Sequence, residues 1–438
     1  MKNIYKFKNF LVYGLSLSGE SVSKLLVKLK ANVFLYDDNI ESLKAKHFAN
    51  CFLIQELNEN LISQFDYIVI SPSIEKDNKF LQIARNHNIK IFSELEFASQ
   101  FCKNLVAVTG TNGKTTTVEL ITSILNEKYK AVSCGNIGYP LSKAVLEKKN
   151  FIKVVEVSSF MLEQADTFSP NVATILNISP DHIIRHKTMK EYTNLKLSIM
   201  KNLKAKNYAV LNLDEKHQPI VNCMTVTYSY NHVADVYYKE GFIYLHGRKI
   251  VSINELSLKG KHNIMNIMCA ICYAHIYRVK DEKIREALIN FRAEKYRIEK
   301  VAKINNINFI NDSKSTNIAS TLACVEAVKG PILLLMGGFD KNLNYAKLFS
   351  NLSKRVVKIA VFGAVADKLI DANNDKFNMT KFEDLNSAFD FLVANAKSND
   401  NIVLSPATSS YDQFANYIER GKVFENKVKE YAEIQAQK

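Results

Sequence analysis

The sequence predicts an α/β protein of three units, each a mostly parallel sheet covered by helices. Three observations carry that class. Short apolar runs recur without polar alternation, as strands buried on both faces do, and segments with helical spacing separate them. The runs end in turns of glycine, serine, asparagine or aspartate, which gathers polar chemistry at one edge of each sheet. Glycine is scarce, 14 in 438 residues, against an average of about 7%. The turns that do hold it, at Gly14, Gly19, Gly110, Gly113, Gly135, Gly138, Gly260, Gly337 and Gly338, therefore stand out.

The first unit opens with a strand at Asn9–Tyr13, a glycine turn at 14–19 (GLSLSG) and a helix over 20–30. A second strand, Asn32–Tyr36, ends at Asp37 and Asp38. An acidic pair about twenty residues beyond a glycine turn is the plan of a dinucleotide fold. Ser16 stands at the second glycine of that fingerprint, which disfavours close approach of a pyrophosphate. A nucleotide-sugar held by Leu17, Ser18 and Asp37 is an alternative, and a doubly wound domain without ligand is another. A further strand, Tyr67–Ile70, runs into Ser71 at the same edge.

Residues 105–120 (LVAVTGTNGKTTTVEL) read as strand, glycine loop and helix. Backbone N–H groups of such a loop, with the helix dipole, cradle a phosphate. Lys114 can reach β- and γ-phosphates, and the Thr115 hydroxyl can ligate Mg²⁺. Val108 occupies the place of the first P-loop glycine, so only the GxxGKT part is present. A strand at Ile152–Glu156 sets Glu156 beside the loop, where a carboxylate can hold Mg²⁺ directly. A second glycine-bearing loop, CGNIGYP, covers 134–140, and a strand over 172–178 leads to His182. A helix over 189–203 carries Tyr192 and Lys196, the latter by itself like any helix lysine. Asn263 and Asn266, three apart on one helix face, are of a type that reads an adenine edge.

The third unit begins near Phe291. Strands at 307–310, 331–336, 357–362 and 401–404 are followed by NDSKSTN (311–317), GGFDK (337–341), Gly363 and SPATSSYD (405–412). The expected domains are thus a Rossmann-like domain at 1–98, a central P-loop ATPase-type domain at 99–291 and a Rossmann-like C-terminal domain at 292–438.

Composition narrows the partners. The net charge is +14, from 58 basic and 44 acidic residues. The lysines are spread along the chain, which suits phosphorylated small molecules and argues against nucleic acid. No apolar run is long enough to span a bilayer, and the N-terminus lacks the apolar core of a secretion signal. Seven scattered cysteines imply reduced thiols and a cytoplasmic protein. Cys269 and Cys272 form a CxxC inside an apolar helical run, which reads as core packing, not a zinc site.

GTNGKTT at 110–116, EVSSF at 156–160, NxSPDH at 177–182, GxHNxxN at 260–266 and NDSKxTN at 311–317 follow one another in the order and spacing of a known family. Over essentially its whole length the sequence resembles the Mur ligases, ATP-dependent amide ligases of peptidoglycan precursor synthesis. GGxDK at 337–341, SPATSSYDQF at 405–414 and Glu419-Arg420-Gly421 are most similar to the branch that adds D-glutamate to UDP-N-acetylmuramoyl-L-alanine. The resemblance implies cytoplasmic ligation through an acyl phosphate, with ATP, two Mg²⁺ sites and no membrane insertion, by a monomer. A Mur-type ligase with another amino-acid acceptor and a non-catalytic nucleotide-binding protein are the alternatives. Folylpolyglutamate synthase shares the ATP loop but lacks a UDP-binding first domain.

By the same resemblance, Gly110, Thr111, Asn112, Gly113, Lys114, Thr115, Thr116, Asn266, Arg297 and Asp312 bind ATP. Leu17, Ser18, Asp37, Asp38, Ser71 and Asn136 bind the UDP-sugar. Lys314, Thr316, Lys341, Ser410 and Tyr411 bind D-glutamate. Thr115, Glu156, His182 and Lys196, the last as a carbamate, hold metal, and Lys114, His182 and Lys196 are catalytic. Three positions depart from the family pattern: Ser73 replaces a glycine, Tyr296 a histidine and Tyr417 a phenylalanine.

Overall fold

The computed structural model describes residues 3–39, 49–179, 181, 183–292, 295–340, 343 and 345–437. The chain packs as two compact units, Met1–Arg292 and Ala293–Lys438.

The first unit holds two sheets. β1 (Asn9–Tyr13), β2 (Asn32–Tyr36), β3 (Phe52–Leu53), β4 (Tyr67–Ile70) and β5 (Lys90–Ser93) form a parallel sheet in the order β3-β2-β1-β4-β5. The order reverses between β1 and β4, so their carboxyl ends flank a crevice. The helix that follows β1 spans Leu17–Lys28 and starts earlier than its apolar periodicity indicates. Gly19 permits this, since a Cβ there would lie 1.9 Å from the Gly14 carbonyl oxygen.

The second sheet contains β6 (Leu105–Thr109), β7 (Ala131–Gly135), β8 (Ile152–Glu156), β9 (Val172–Ile175), β10 (Tyr208–Asn212), β11 (Met224–Ser229), β12 (Val236–Lys239), β13 (Phe242–Leu245) and β14 (Arg248–Ser252). Their order is β14-β13-β12-β11-β10-β9-β6-β8-β7. The pairings are parallel except for the β12-β13-β14 meander at one edge. That meander turns at Glu240-Gly241 and His246-Gly247, all four with φ between 46° and 82°. Left-handed residue pairs of this kind make tight hairpins whose twist matches the strands. The strand expected over 172–178 stops at Ile175, and the helix expected over 189–203 stops at Leu197 and tightens into a 3₁₀ turn, Ser198–Met200.

The two sheets share one apolar core, in which Val12, Leu25 and Phe97 pack with Ala107, Val155 and Phe168. The expected boundary at 98/99 falls inside the helix Glu94–Ser99. Two buried carboxylates of this helix bind backbone beyond it. Glu94 Oε1 accepts from Ser142 N (2.6 Å). Glu96 accepts from Asp166 N, Thr167 N and Thr167 Oγ1 at 3.2, 2.6 and 2.5 Å. Residues expected to form two domains therefore pack as one unit.

The second unit is built on β15 (Glu299–Ile304), β16 (Ile307–Asn311), β17 (Ile332–Gly337), β18 (Val356–Phe362), β19 (Met379–Phe382) and β20 (Asn401–Leu404), in the order β15-β16-β20-β17-β18-β19. Only the β15-β16 hairpin is antiparallel, through Asn305 and Asn306 at positive φ. Asn311 pairs with Leu404, and Leu404 with Leu335. The turns that follow β16, β20 and β17 are therefore neighbours at one sheet edge.

Replacing Glu96 with alanine removes the carboxylate that accepts from the backbone N–H groups of Asp166 and Thr167. The expected loss is about 2–4 kcal/mol, read as a lower urea midpoint by far-ultraviolet dichroism with an unchanged slope.

Candidate active site

The phosphate loop leaves β6 at Gly110 and enters the helix Lys114–Asn126 at Gly113. Gly113 has φ +82°, and a Cβ there would sit 2.4 Å from Asn266 Oδ1. The loop thus needs glycine both for its backbone and for the side chain packed over it. No side chain caps the helix N-terminus, unlike the helices capped by Asn58, Ser158 or Asn416. An uncapped N-terminus of this length, with its dipole, suits an anion. The loop is braced from outside: Asn112 N donates to Asn177 Oδ1 (2.9 Å), Asn177 Nδ2 donates to Asn112 O (3.1 Å), and Thr111 N donates to Asn177 O (2.9 Å). Lys114 Nζ lies over the loop, donating to Gly110 O (3.0 Å) and Thr111 O (2.9 Å).

Register places the acid. β6 and β8 are parallel neighbours with Val108 opposite Glu156, so the carboxylate lies under the start of the helix. Glu156 is 3% exposed. Its Oε2 accepts from Thr115 Oγ1 (2.7 Å) and its Oε1 from Asn136 Nδ2 (2.8 Å). Both donors are neutral. Hydroxyl and carboxylate oxygens side by side are the hard ligands that Mg²⁺ takes. The donor set fits that ion.

Lys196 comes to the same place from another element. It is 1% exposed on the helix Met189–Leu197. Its Nζ donates to Gly110 O (2.8 Å) and lies over the Tyr192 ring, 4.8 Å from the centroid. Tyr192 Oη is 3.1 Å from Thr111 Oγ1, closing the bracket around the loop. Burial, then repulsion by Lys114, lowers the Lys196 pKa to about 7.

At the edge of the first sheet, Asp37 Oδ2 accepts from Leu15 N (2.7 Å), and Tyr13 Oη donates to Asp38 (2.8 Å). Ser16 Oγ pairs with Ser71 Oγ (3.0 Å) across the crevice, and no side chain caps the helix that starts at Leu17. Leu17, 60% exposed, and the half-buried Ser18 lie in the first turn of that helix. Ser73 donates to Ser71 Oγ (3.2 Å). Asn136, expected at the UDP-sugar, is bonded here to Glu156. Arg185, which sequence reasoning did not single out, joins the edges: its guanidinium donates to the carbonyls of Ser73 and Ile74 and to Glu163 Oε2 (3.2, 3.1 and 2.8 Å).

In the second unit Asp312 is enclosed. Its carboxylate accepts from Ile298 N (3.1 Å) and Ser405 Oγ (2.7 Å), and burial pushes its pKa up. Arg297 and Tyr411, the latter 71% exposed, face solvent. Ser410 is buried, and Lys314 Nζ lies 5.8 Å from the Tyr417 ring centroid. Tyr296 (φ +68°) is buried against Gly421, where a Cβ would come 2.3 Å from its ring. His182 and Lys341 lie outside the described residues.

Comparison with known proteins agrees with this geometry. Residues 108–274 match the Mur ligase middle domain, and residues 296–408 match the Mur ligase glutamate ligase domain. The UDP-N-acetylmuramoylalanine–D-glutamate ligase of Thermoanaerobacter pseudethanolicus is 34% identical over 97% of this chain and 99% of that protein. The chain belongs to the Mur ligase family. Its members are ATP-dependent amide ligases. The Fusobacterium nucleatum enzyme of the same name is also 34% identical, over 96% of this chain and 99% of its own length. Among solved structures, MurF of Thermotoga maritima in complex with ADP has a TM-score of 0.58 at 14% identity, covering 98% of this chain and 97% of its own. MurC of the same organism has a TM-score of 0.57 at 16% identity, covering 98% and 100%. Both share the Mur ligase fold. No helix among the described residues is long and apolar enough to cross a membrane.

The position of Lys196 has a pH signature. Its folded pKa lies below the unfolded value, so stability is depressed at acid pH and recovers as pH rises from about 7 toward 10.5. Lys196→Met, of similar volume, lacks this slope. In bicarbonate-free buffer the variant is expected to be the more stable protein at pH 6, with the gap closing by pH 10, as measured by urea unfolding across that range.

Proposed function

We propose that this protein joins D-glutamate to the L-alanyl carboxylate of UDP-N-acetylmuramoyl-L-alanine, with conversion of ATP to ADP and phosphate. The observation that carries the reading is end-to-end relatedness, at 34% identity, to ligases named for that reaction. The site chemistry supports it. In this reading the three sheets divide the substrates: the first sheet takes the UDP-sugar, the second ATP and the third the amino acid.

The backbone from Gly110 to Thr116 and the ammonium of Lys114 hold the triphosphate, and Asn266 and Arg297 orient the nucleotide. Asp312 shapes the adjoining turn from within. Thr115 and Glu156 hold one Mg²⁺; carbamylated Lys196 and His182 hold a second. Bound there, the ions neutralise phosphate oxygens so that a carboxylate can approach the γ-phosphate. Leu17, Ser18, Asp37, Asp38 and Ser71 fix the UDP-sugar, so its alanyl carboxylate is presented for phosphorylation. The amine of D-glutamate then attacks the acyl phosphate, the C–N bond forms, and phosphate leaves with the acyl C–O bond. Lys314, Thr316, Lys341, Ser410 and Tyr411 orient that amine. A Lys196 amine with a pKa of about 7 is about half neutral at that pH, and the neutral form can add to CO₂, losing a proton to give the carbamate.

Phosphate release is expected only when ATP, UDP-N-acetylmuramoyl-L-alanine and D-glutamate are all present. Equal turnover with L-glutamate, or turnover without any acceptor, sinks the reading. Glu156→Gln keeps the Thr115 and Asn136 side chains near a neutral amide and is expected to lower kcat by about 100-fold or more. Nucleotide-sugar binding, followed by calorimetry, is expected to survive in that variant.

A further inference from the structure

Glu419-Arg420-Gly421 marks the C-terminal helix in the sequence, yet the site as described gives Arg420 no task. It is the largest fully buried side chain of the described residues, at 0% exposure. No described carboxylate lies within ion-pair distance of it; its donors meet oxygen atoms of three separate turns. Nε donates to Ser313 Oγ (3.1 Å), Nη2 to Ser313 O (2.9 Å) and Thr408 O (3.1 Å), and Nη1 to Gly337 O (3.3 Å). These turns follow β16, β20 and β17, the neighbours brought together at one sheet edge. One carries Lys314 and Thr316, one Ser410 and Tyr411, and one begins at Gly337.

The surroundings keep the guanidinium in place. Ser313 Oγ donates in turn to Tyr417 O (2.8 Å), and Asn311 Nδ2 donates to Gly421 O (2.9 Å), so the helix start is tied to the end of β16. Gly338 leaves room for the group, since a Cβ there would lie 2.9 Å from Nη1 and 2.2 Å from Ser409 O. Only a planar fork of N–H donors bridges three turns at once; a lysine offers one point. Burial lowers the Arg420 pKa to about 10, so the group is cationic at neutral pH. Burying the charge is costly, and attraction by the Asp412 carboxylate offsets part of that cost.

We infer that Arg420 is the positioning residue of the acceptor subsite: one guanidinium sets the spacing of the three turns that carry it. The inference rests on the reading of the second unit as the amino-acid-binding unit. It is tested by steady-state kinetics of wild type, Arg420→Lys and the milder Ser313→Ala, varying each substrate in turn, with melting temperatures taken alongside. For Arg420→Lys the KM for D-glutamate is expected to rise about tenfold or more, while the KM values for ATP and the UDP-sugar stay within about twofold. Ser313→Ala is expected to show the same selective change, smaller in size, and decides the matter should Arg420→Lys not fold. An unchanged KM for D-glutamate in the folded variants overturns the inference, as does a parallel rise of all three KM values. Wild type separates the two readings: if it uses an acceptor other than D-glutamate, the proposed function fails, and the comparison is then made with that acceptor.

Discussion

A buried carboxylate with neutral partners, beside a loop on which two lysines converge, is the constraint on which the site depends. Glu156 is fixed by strand register and is satisfied by Thr115 and Asn136, so its charge is not consumed by an ion pair. Lys114 and Lys196 both donate to Gly110 O, and their mutual repulsion helps to lower the pKa of Lys196. Positive charge is thus concentrated on a loop whose helix N-terminus adds to it. The loop suits a polyphosphate, because its dipoles need not turn when charge arrives.

The three sheets repeat one solution. At the carboxyl edge of each sheet a strand stops, a glycine or serine lets the next segment approach closely, and the following helix or turn presents backbone donors. Gly14 against Ser71, Gly113 against Asn266 and Gly338 against Ser409 are three instances, each with no room for a Cβ. Scarcity of glycine elsewhere in the chain follows from the same economy: the residue costs conformational entropy and is kept where geometry demands it.

Much of this was legible in the sequence because it is local. Strands buried on both faces are uniformly apolar, and the GxxGKT loop carries its own chemistry, so β1, β6, β8 and β20 and the positions of Lys114, Thr115 and Glu156 could be read directly. What escaped depends on contacts distant in the chain. Lys196 looks like any helix lysine until Gly110 and Tyr192 enclose it, and Arg420 looks like a surface arginine until three turns close over it. The β12-β13-β14 meander has no counterpart in the sequence reading, although Glu240-Gly241 and His246-Gly247 mark its tight turns. The boundary at 98/99 looked natural from where the glycine-loop unit begins, yet the carboxylates of Glu94 and Glu96 bind backbone dozens of residues onward.

That last feature bears on how the chain is made. The helix Glu94–Ser99 closes the first sheet, but its buried acids find their donors only at Ser142, Asp166 and Thr167. A nascent chain that has just released residue 99 from the ribosome holds a sheet whose apolar flank is open and whose acids lack their donors. The first sheet therefore gains its full set of contacts only as β8 and the segment leading to β9 emerge, so synthesis order couples the crevice beside β1 and β4 to the glycine loop.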